Sequence, residues 1–256
     1  MIGGMSPLHA LAIAGAGAMA GMMNAVVGSG SLVTFPTLIA LGYPPVLANV
    51  SNNIGLVPGS LSGAFAYRRE LTGQRRRLLR LAPASVVGGV TGALLLLQLP
   101  GSVFKAVVPI LIIVALVLVV AGPAISRRLD RRNGGEARSA VAAPLFCSVL
   151  LAGVYGGYFG AAQGVILMAL LSTFLSDALQ RLNATKNVLG SLVNGSAALV
   201  FIATTRVDWA IVGVLAVGSV IGGQLGGKVG RRLDPRSLRA LIVVIGVAAI
   251  VKLVVS

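Results

Sequence analysis

Long apolar stretches succeed one another along almost the whole chain, at roughly residues 8–27, 31–42, 45–67, 76–98, 103–123, 141–159, 163–176, 181–204, 209–227 and 236–255. A helix that crosses a bilayer needs about 20 apolar residues, and most of these stretches reach that length. The sequence therefore predicts an all-α polytopic membrane protein with about 8–10 membrane segments. Two pieces, 31–42 and 163–176, are too short to span upright and predict half-helices, re-entrant segments or strongly tilted spans. Composition excludes the alternatives: 56% of residues are hydrophobic, 11% are charged and the mean hydropathy is +0.94. A soluble domain carries about 25% charge, and a disordered chain is polar and poor in aliphatics.

The two short pieces occupy matching places, and the sequence around them repeats. Ala20, Gly21 and Gly28 align with Ala152, Gly153 and Gly160 at an offset of 132. Asn49, Ser51 and Asn53 align with Asn183, Thr185 and Asn187 at an offset of 134, as do Ser85 with Ser219, Gly88 with Gly222, Gly89 with Gly223, Gly92 with Gly226 and Lys105 with Arg239. One gap near Gly42 to Pro45 reconciles the offsets. The predicted division is a first membrane half at 1–126, a charged cytoplasmic linker at 127–140 and a second membrane half at 141–256.

The net charge of +15 is distributed as a membrane protein marks its cytoplasmic loops, in short basic runs between apolar spans. No soluble basic surface remains for a nucleic acid. Arg68, Arg69, Arg75, Arg76, Arg77 and Arg80 form one run; Arg127, Arg128, Arg131, Arg132 and Arg138 form another; Lys228, Arg231, Arg232, Arg236 and Arg239 form a third. The repeat counterpart of the first run holds only Arg206 and Asp208. The counterpart of the third is Pro100, Gly101 and Ser102. Equivalent loops on opposite sides predict an inverted-topology repeat with an odd number of crossings per half, five plus five, and both termini outside.

Candidate site residues cluster at the repeat-equivalent positions. Gly28, Ser29, Gly30 and Ser31 break the first half and precede a short helix containing Pro36; Gly160, Ala161, Ala162, Gln163 and Gly164 break the second. Irregular backbone at membrane depth is tolerated only when buried in protein or facing a polar cavity. A helix starting there aims free N–H groups at that cavity, which suits an anion; glycines that merely allow close helix packing are the plainer reading. Ser51, Asn52 and Asn53 face Thr185, Lys186 and Asn187 across the repeat, and these amides and hydroxyls suit an oxyanion. Asn49 and Asn183, one step earlier, fit helix N-caps. Ser60 and Asn194 continue the stripe about two turns deeper. Lys186 is the sharpest residue, because an intramembrane cation costs about 2.5–3.5 kcal/mol to insert. Snorkelling toward the boundary marked by Arg181 is its alternative, and it is the reading taken for Lys105, Arg239 and Lys252.

All six acids, Glu70, Asp130, Glu136, Asp177, Asp208 and Asp234, fall in loops or at span ends, which disfavours cation transport. One histidine, His9, and one cysteine, Cys147, leave no set for a zinc, haem or cysteine-bound metal site. No metal and no cofactor is expected, and no catalytic residue.

With these blocks in view the chain resembles the TauE/SafE family of sulfite and sulfonate exporters, bacterial and archaeal inner-membrane permeases. The resemblance rests on Gly28-Ser29-Gly30-Ser31-Leu32, Pro36, Ala48 to Ser51, the Tyr67-Arg68-Arg69-Glu70-Leu71 turn, and Gly88 and Gly92 followed by Leu99-Pro100. Ser31 and Leu32 depart from the family's later glycines, and Ala161 and Ala162 thin the second motif. The resemblance implies a multi-pass permease of the prokaryotic inner membrane that moves a small anion, and leaves the anion unnamed.

The expected function is alternating-access transport of a small sulfur-containing oxyanion such as sulfite, thiosulfate or an organosulfonate, bound between the halves. The expected partners are that anion and the lipid bilayer, with oligomeric state open. A passive anion channel on the same scaffold is the first alternative. An intramembrane lipid-phosphate enzyme lacks its acid/base pair, and a non-transporting scaffold would show no substrate-dependent stabilisation.

Overall fold

A computed structural model describes residues 5–132, 143–229, 240, 243, 244 and 247. All nine described elements are helices: α1 (Pro7–Val26), α2 (Ser31–Ala40), α3 (Pro45–Ala66), α4 (Arg75–Gln98), α5 (Gly101–Arg132), α6 (Ala143–Tyr158), α7 (Gln163–Phe174), α8 (Leu179–Thr204) and α9 (Trp209–Val229). Five are long and apolar enough to cross a membrane: α1, α4, the Gly101–Ala121 part of α5, α8 and most of α9. The expected last span at 236–255 falls almost wholly outside the described residues, as do Glu136, Arg138, Asp234, Arg239 and Lys252. Helix α5 continues through Arg132, so the first part of the expected linker is helical and the rest lies outside the described residues.

Local sequence sets the helix ends. Ser6 accepts the His9 amide and Pro7 occupies the first helical position of α1, where a missing N–H costs nothing. Both breaks close their preceding helix in the same way. The amides of Val27 and Gly28 both return to the Met23 carbonyl, and those of Phe159 and Gly160 to the Tyr155 carbonyl. Gly28 and Gly160 sit at φ +84° and +77°, the left-handed glycine ending of a helix. Met23 and Tyr155 are themselves repeat-equivalent.

Helix packing pairs the halves with each other. Helix α1 lies on α9 and α6 on α4; α3 lies on α9 and α8 on α4; α3 and α8 touch each other. The closest of these approaches run through small residues, such as Gly88 of α4 on Gly153 of α6, which lets backbones meet without a lipid-excluding gap. The larger apolar core surrounds Phe35, Phe104 and Phe159, whose rings meet edge to face with centroids 5.3–6.5 Å apart. A second core gathers α4, α6, α7 and α8 around Leu81, Val149, Leu167 and Leu189.

Two turns from different halves are tied by charge. Asp177, between α7 and α8, pairs with Arg77 of α4 at 2.8 Å and with Arg181 of α8 at 2.9 Å. Burial alone would raise the Asp177 pKa, but the Arg77 hydrogen bond, the Ala178 amide and the two guanidinium charges together hold it below the ordinary carboxylate value. The buried Gln74 completes the join. Its amide donates to the Glu70 and Arg181 carbonyls, and its oxygen accepts from Arg77 and from the Thr185 hydroxyl. The α2–α3 turn lies beside the α8–α9 turn, where burial and then the Asp208 charge push the Tyr43 phenol above its usual value.

Candidate functional site

The two breaks meet in the interior. The Gly164 amide donates to the Gly28 carbonyl at 3.0 Å, and a Cβ on either glycine would collide with the backbone of the other. Around them lies a small polar cavity of about 30 Å³, room for about two water molecules. The first half contributes Asn24, Ala25, Gly28, Ser31 and Ser60 to its wall; the second contributes Gly160, Gln163, Gly164, Lys186, Asn187, Gly190, Ser191 and Asn194.

Lys186 is 2% exposed. Its Nζ donates to the Asn24 carbonyl at 3.2 Å, so it stands at the C-terminal end of α1, where unpaired carbonyls favour a cation. The next carbonyl, that of Ala25, accepts from Asn183 at 3.1 Å and from Asn187 at 3.2 Å. The second break mirrors this: Asn49 donates to the Tyr158 carbonyl at the end of α6, at 2.9 Å. Lys186 does not take the snorkelling alternative but turns inward to α1, and one expectation is corrected. Asn49 and Asn183 are not N-caps, since Pro44 and Ala178 hold those positions; each caps the C-terminus of a helix from the other half.

Of the residues singled out from sequence, the fold brings Gly28, Ser31, Ser60, Gly160, Gln163, Gly164, Lys186, Asn187 and Asn194 to the cavity wall. Six others stand behind it or elsewhere. Gly30 has its amide taken by Asn24 Oδ1 at 2.8 Å. Asn52 donates to Ser31 Oγ at 3.1 Å and accepts from Thr34, so it braces a lining residue. Thr185 turns to Gln74 at 2.6 Å. Ser29, Ser51 and Asn53 are buried with side-chain oxygens that have no partner among the described residues. Asn24, Ala25, Gly190 and Ser191 line the cavity without having been singled out. Gly190, Ser191 and Asn194 follow Asn187 at three, four and seven residues, the spacing of one helix face.

The chemistry of the wall is that of a donor set. Lys186 has three N–H groups and spends one on Asn24. The Gln163 Nε2 is buried and has no acceptor among the described residues. Hydroxyls of Ser31 and Ser60 and the Asn194 amide add neutral donors. Among the described residues no carboxylate lines the cavity, and no His, Cys, Asp or Glu cluster could hold a metal. The backbone at the second break is strained: Ala162, fully buried, sits at φ 59°, a left-handed conformation that L side chains rarely adopt and that gathers at functional sites.

The family model described as "Sulfite exporter TauE/SafE" matches residues 13–253. The chain belongs to the TauE/SafE family. It is similar to the "Probable membrane transporter protein YfcA" of Escherichia coli (strain K12), 27% identical over 92% of this chain and 86% of that protein. It is also similar to a "Probable membrane transporter protein" of Haemophilus influenzae, 25% identical over 93% of this chain and 91% of that one. A third relative, the "Probable membrane transporter protein ORF9" of Sinorhizobium sp, is 27% identical over 92% of this chain and 88% of its own length. No solved structure gives a significant match. As a TauE/SafE member the chain is a multi-pass membrane transporter, and its relatives carry transporter names and not enzyme names.

Proposed function

We propose that this TauE/SafE member is a permease of the prokaryotic inner membrane that carries a small sulfur-containing oxyanion, such as sulfite, thiosulfate or an organosulfonate, by alternating access. The observation that carries the reading is Lys186, a buried lysine in a cavity walled by both broken helices, with no carboxylate beside it among the described residues. A charge in such a place is costly unless it is compensated, and an anionic cargo is the compensation.

The two halves form an inverted repeat with the anion between them. The basic α3–α4 turn marks the cytoplasmic side, and the α7–α8 turn is ion-paired to it through Arg77 and Asp177. The repeat counterpart of the α7–α8 turn, between α2 and α3, lies by Asp208 instead. Lys186, Gln163, Ser31 and Asn194 hold the anion. Rocking of the halves about this cavity loads and releases the anion.

The test is thermal stability of the detergent-purified full chain against sulfite, thiosulfate and methanesulfonate, repeated on Lys186→Ala. Binding to the folded state raises Tm by mass action. A Tm rise in wild type that is lost in the variant supports the reading. A panel in which no anion moves the wild-type Tm removes its support, and Lys186→Ala transporting at the wild-type rate and affinity removes the role given to that residue.

A further inference from the structure

We infer that the cavity beside Lys186 is built for an anion carrying one negative charge, and discriminates against dianions of the same shape. The inference rests on the small-anion reading above and goes further by fixing the charge class of the cargo.

The argument is a charge count. Lys186 is the one charged side chain on the cavity wall among the described residues. The neighbouring cations are already satisfied: Arg77 and Arg181 both bond Asp177, and Arg181 also donates to the Thr72 carbonyl. The neighbouring acid is bound to those two arginines, and Asp208 accepts the Ala210 and Ile211 amides at the start of α9. Among the described residues no second positive charge lines the cavity.

Helix dipoles do not supply it either. The α2 N-terminus adds at most about half a positive charge, short of the full second charge a dianion needs, and the Gly30 amide before it already donates to Asn24 Oδ1. The first free amide of α7, that of Gly164, is spent on the Gly28 carbonyl. The α1 C-terminus, of opposite sign, abuts the Lys186 ammonium through the Asn24 carbonyl. The remaining lining donors, Gln163, Ser31, Ser60 and Asn194, are neutral.

A monoanion therefore brings the loaded site to zero net charge. A dianion leaves one negative charge buried without a partner, which is strongly unfavourable where the dielectric is low. The cargo class is R–SO3⁻ or hydrogensulfite, in preference to sulfate, thiosulfate or fully ionised sulfite.

Methanesulfonate and sulfate make the comparison clean, because both are tetrahedral, similar in size, and fixed in charge at neutral pH. Titrating each into the purified full chain at constant ionic strength, with Tm as readout, is expected to give methanesulfonate an apparent affinity at least about tenfold above that of sulfate. Sulfate binding as tightly or more tightly overturns the inference while leaving the anion-permease reading standing. Neither anion binding, nor sulfite, overturns both. Asn194→Lys, which adds a second cation to the wall, is expected to narrow or invert the preference. An unchanged ratio in a folded Asn194→Lys variant counts against the charge-count argument. Should that variant not fold, the wild-type ratio alone decides.

Discussion

The amide of Gly164 donates to the carbonyl of Gly28 at 3.0 Å, so the two chain breaks, one from each half, are hydrogen-bonded to each other. This contact leaves no room for a side chain on either residue: a Cβ on Gly164 would fall against the Gly28 backbone. Gly164→Ala is expected to force the breaks apart, lower Tm by the equivalent of about 1–3 kcal/mol and abolish transport. A variant with wild-type Tm and wild-type uptake in proteoliposomes would show that the contact is dispensable.

The carbonyl end of α1 depends on α8. Asn183→Ala removes one of the two amides that reach the Ala25 carbonyl and is expected to destabilise by about 1 kcal/mol. Asn183→Ala with Asn187→Ala leaves that buried carbonyl without a side-chain donor, and should cost more than the sum of the single changes. A double-mutant cycle on Tm reads the difference; strict additivity would mean that the two amides do not share the load.

Acid should loosen the join between the α3–α4 and α7–α8 turns. The folded pKa of Asp177 lies below its unfolded value, so its contribution to stability is present above the unfolded value, about 4, and disappears as pH falls through the folded one. Asp177→Asn is expected to lower Tm at neutral pH and to flatten the Tm profile below about pH 4. An acid limb of the same steepness in the variant would assign the titration to another carboxylate.

Thr185→Val keeps the shape of the side chain and removes the hydroxyl that donates to Gln74 at 2.6 Å. The expected cost is about 1 kcal/mol, with anion affinity unchanged, because Thr185 faces the turn and not the cavity. Loss of anion-dependent stabilisation in a folded Thr185→Val variant would place it in the site after all.

Orientation is open to direct labelling. In a Cys147→Ser background, Arg206→Cys on the α8–α9 turn is expected to react with a membrane-impermeant maleimide applied from outside. Thr72→Cys, on the α3–α4 turn, should react only after the cells are opened. Both positions carry exposed side chains. Labelling of both from the same side contradicts the inverted repeat.

Much of this architecture was legible in the residues. The short apolar pieces fixed the starts of α2 at Ser31 and α7 at Gln163, because a glycine break followed by an apolar run leaves few other places for a helix to begin. Lys186 stood out because insertion of a cation demands a reason. The polar run around it was harder to read. Successive residues on a helix point about 100° apart, so Thr185, Lys186 and Asn187 could not all face one cavity, and Thr185 faces Gln74. The face through Asn187 runs to Gly190, Ser191 and Asn194, and following that spacing would have found two of the four that were missed, Gly190 and Ser191. Asn24 carried no such signal: what makes it a wall residue is the packing of α1 against the other half, which no local pattern encodes. Asn49 and Asn183 looked like caps and are caps, but of helices more than a hundred residues away in sequence.

That exchange of caps has a consequence for how the protein comes into being. The carbonyls closing α1 find their partners on α8, and the one closing α6 finds its partner on α3. During synthesis the first half would enter the bilayer with the Asn24 and Ala25 carbonyls unanswered, a state lipid tolerates poorly. The α1 end therefore stays provisional until α8 has left the ribosome, and the first half alone is expected to be a substrate for quality-control proteolysis. Completion of the polar cavity and completion of the fold are then one event, and the membrane never holds a finished half.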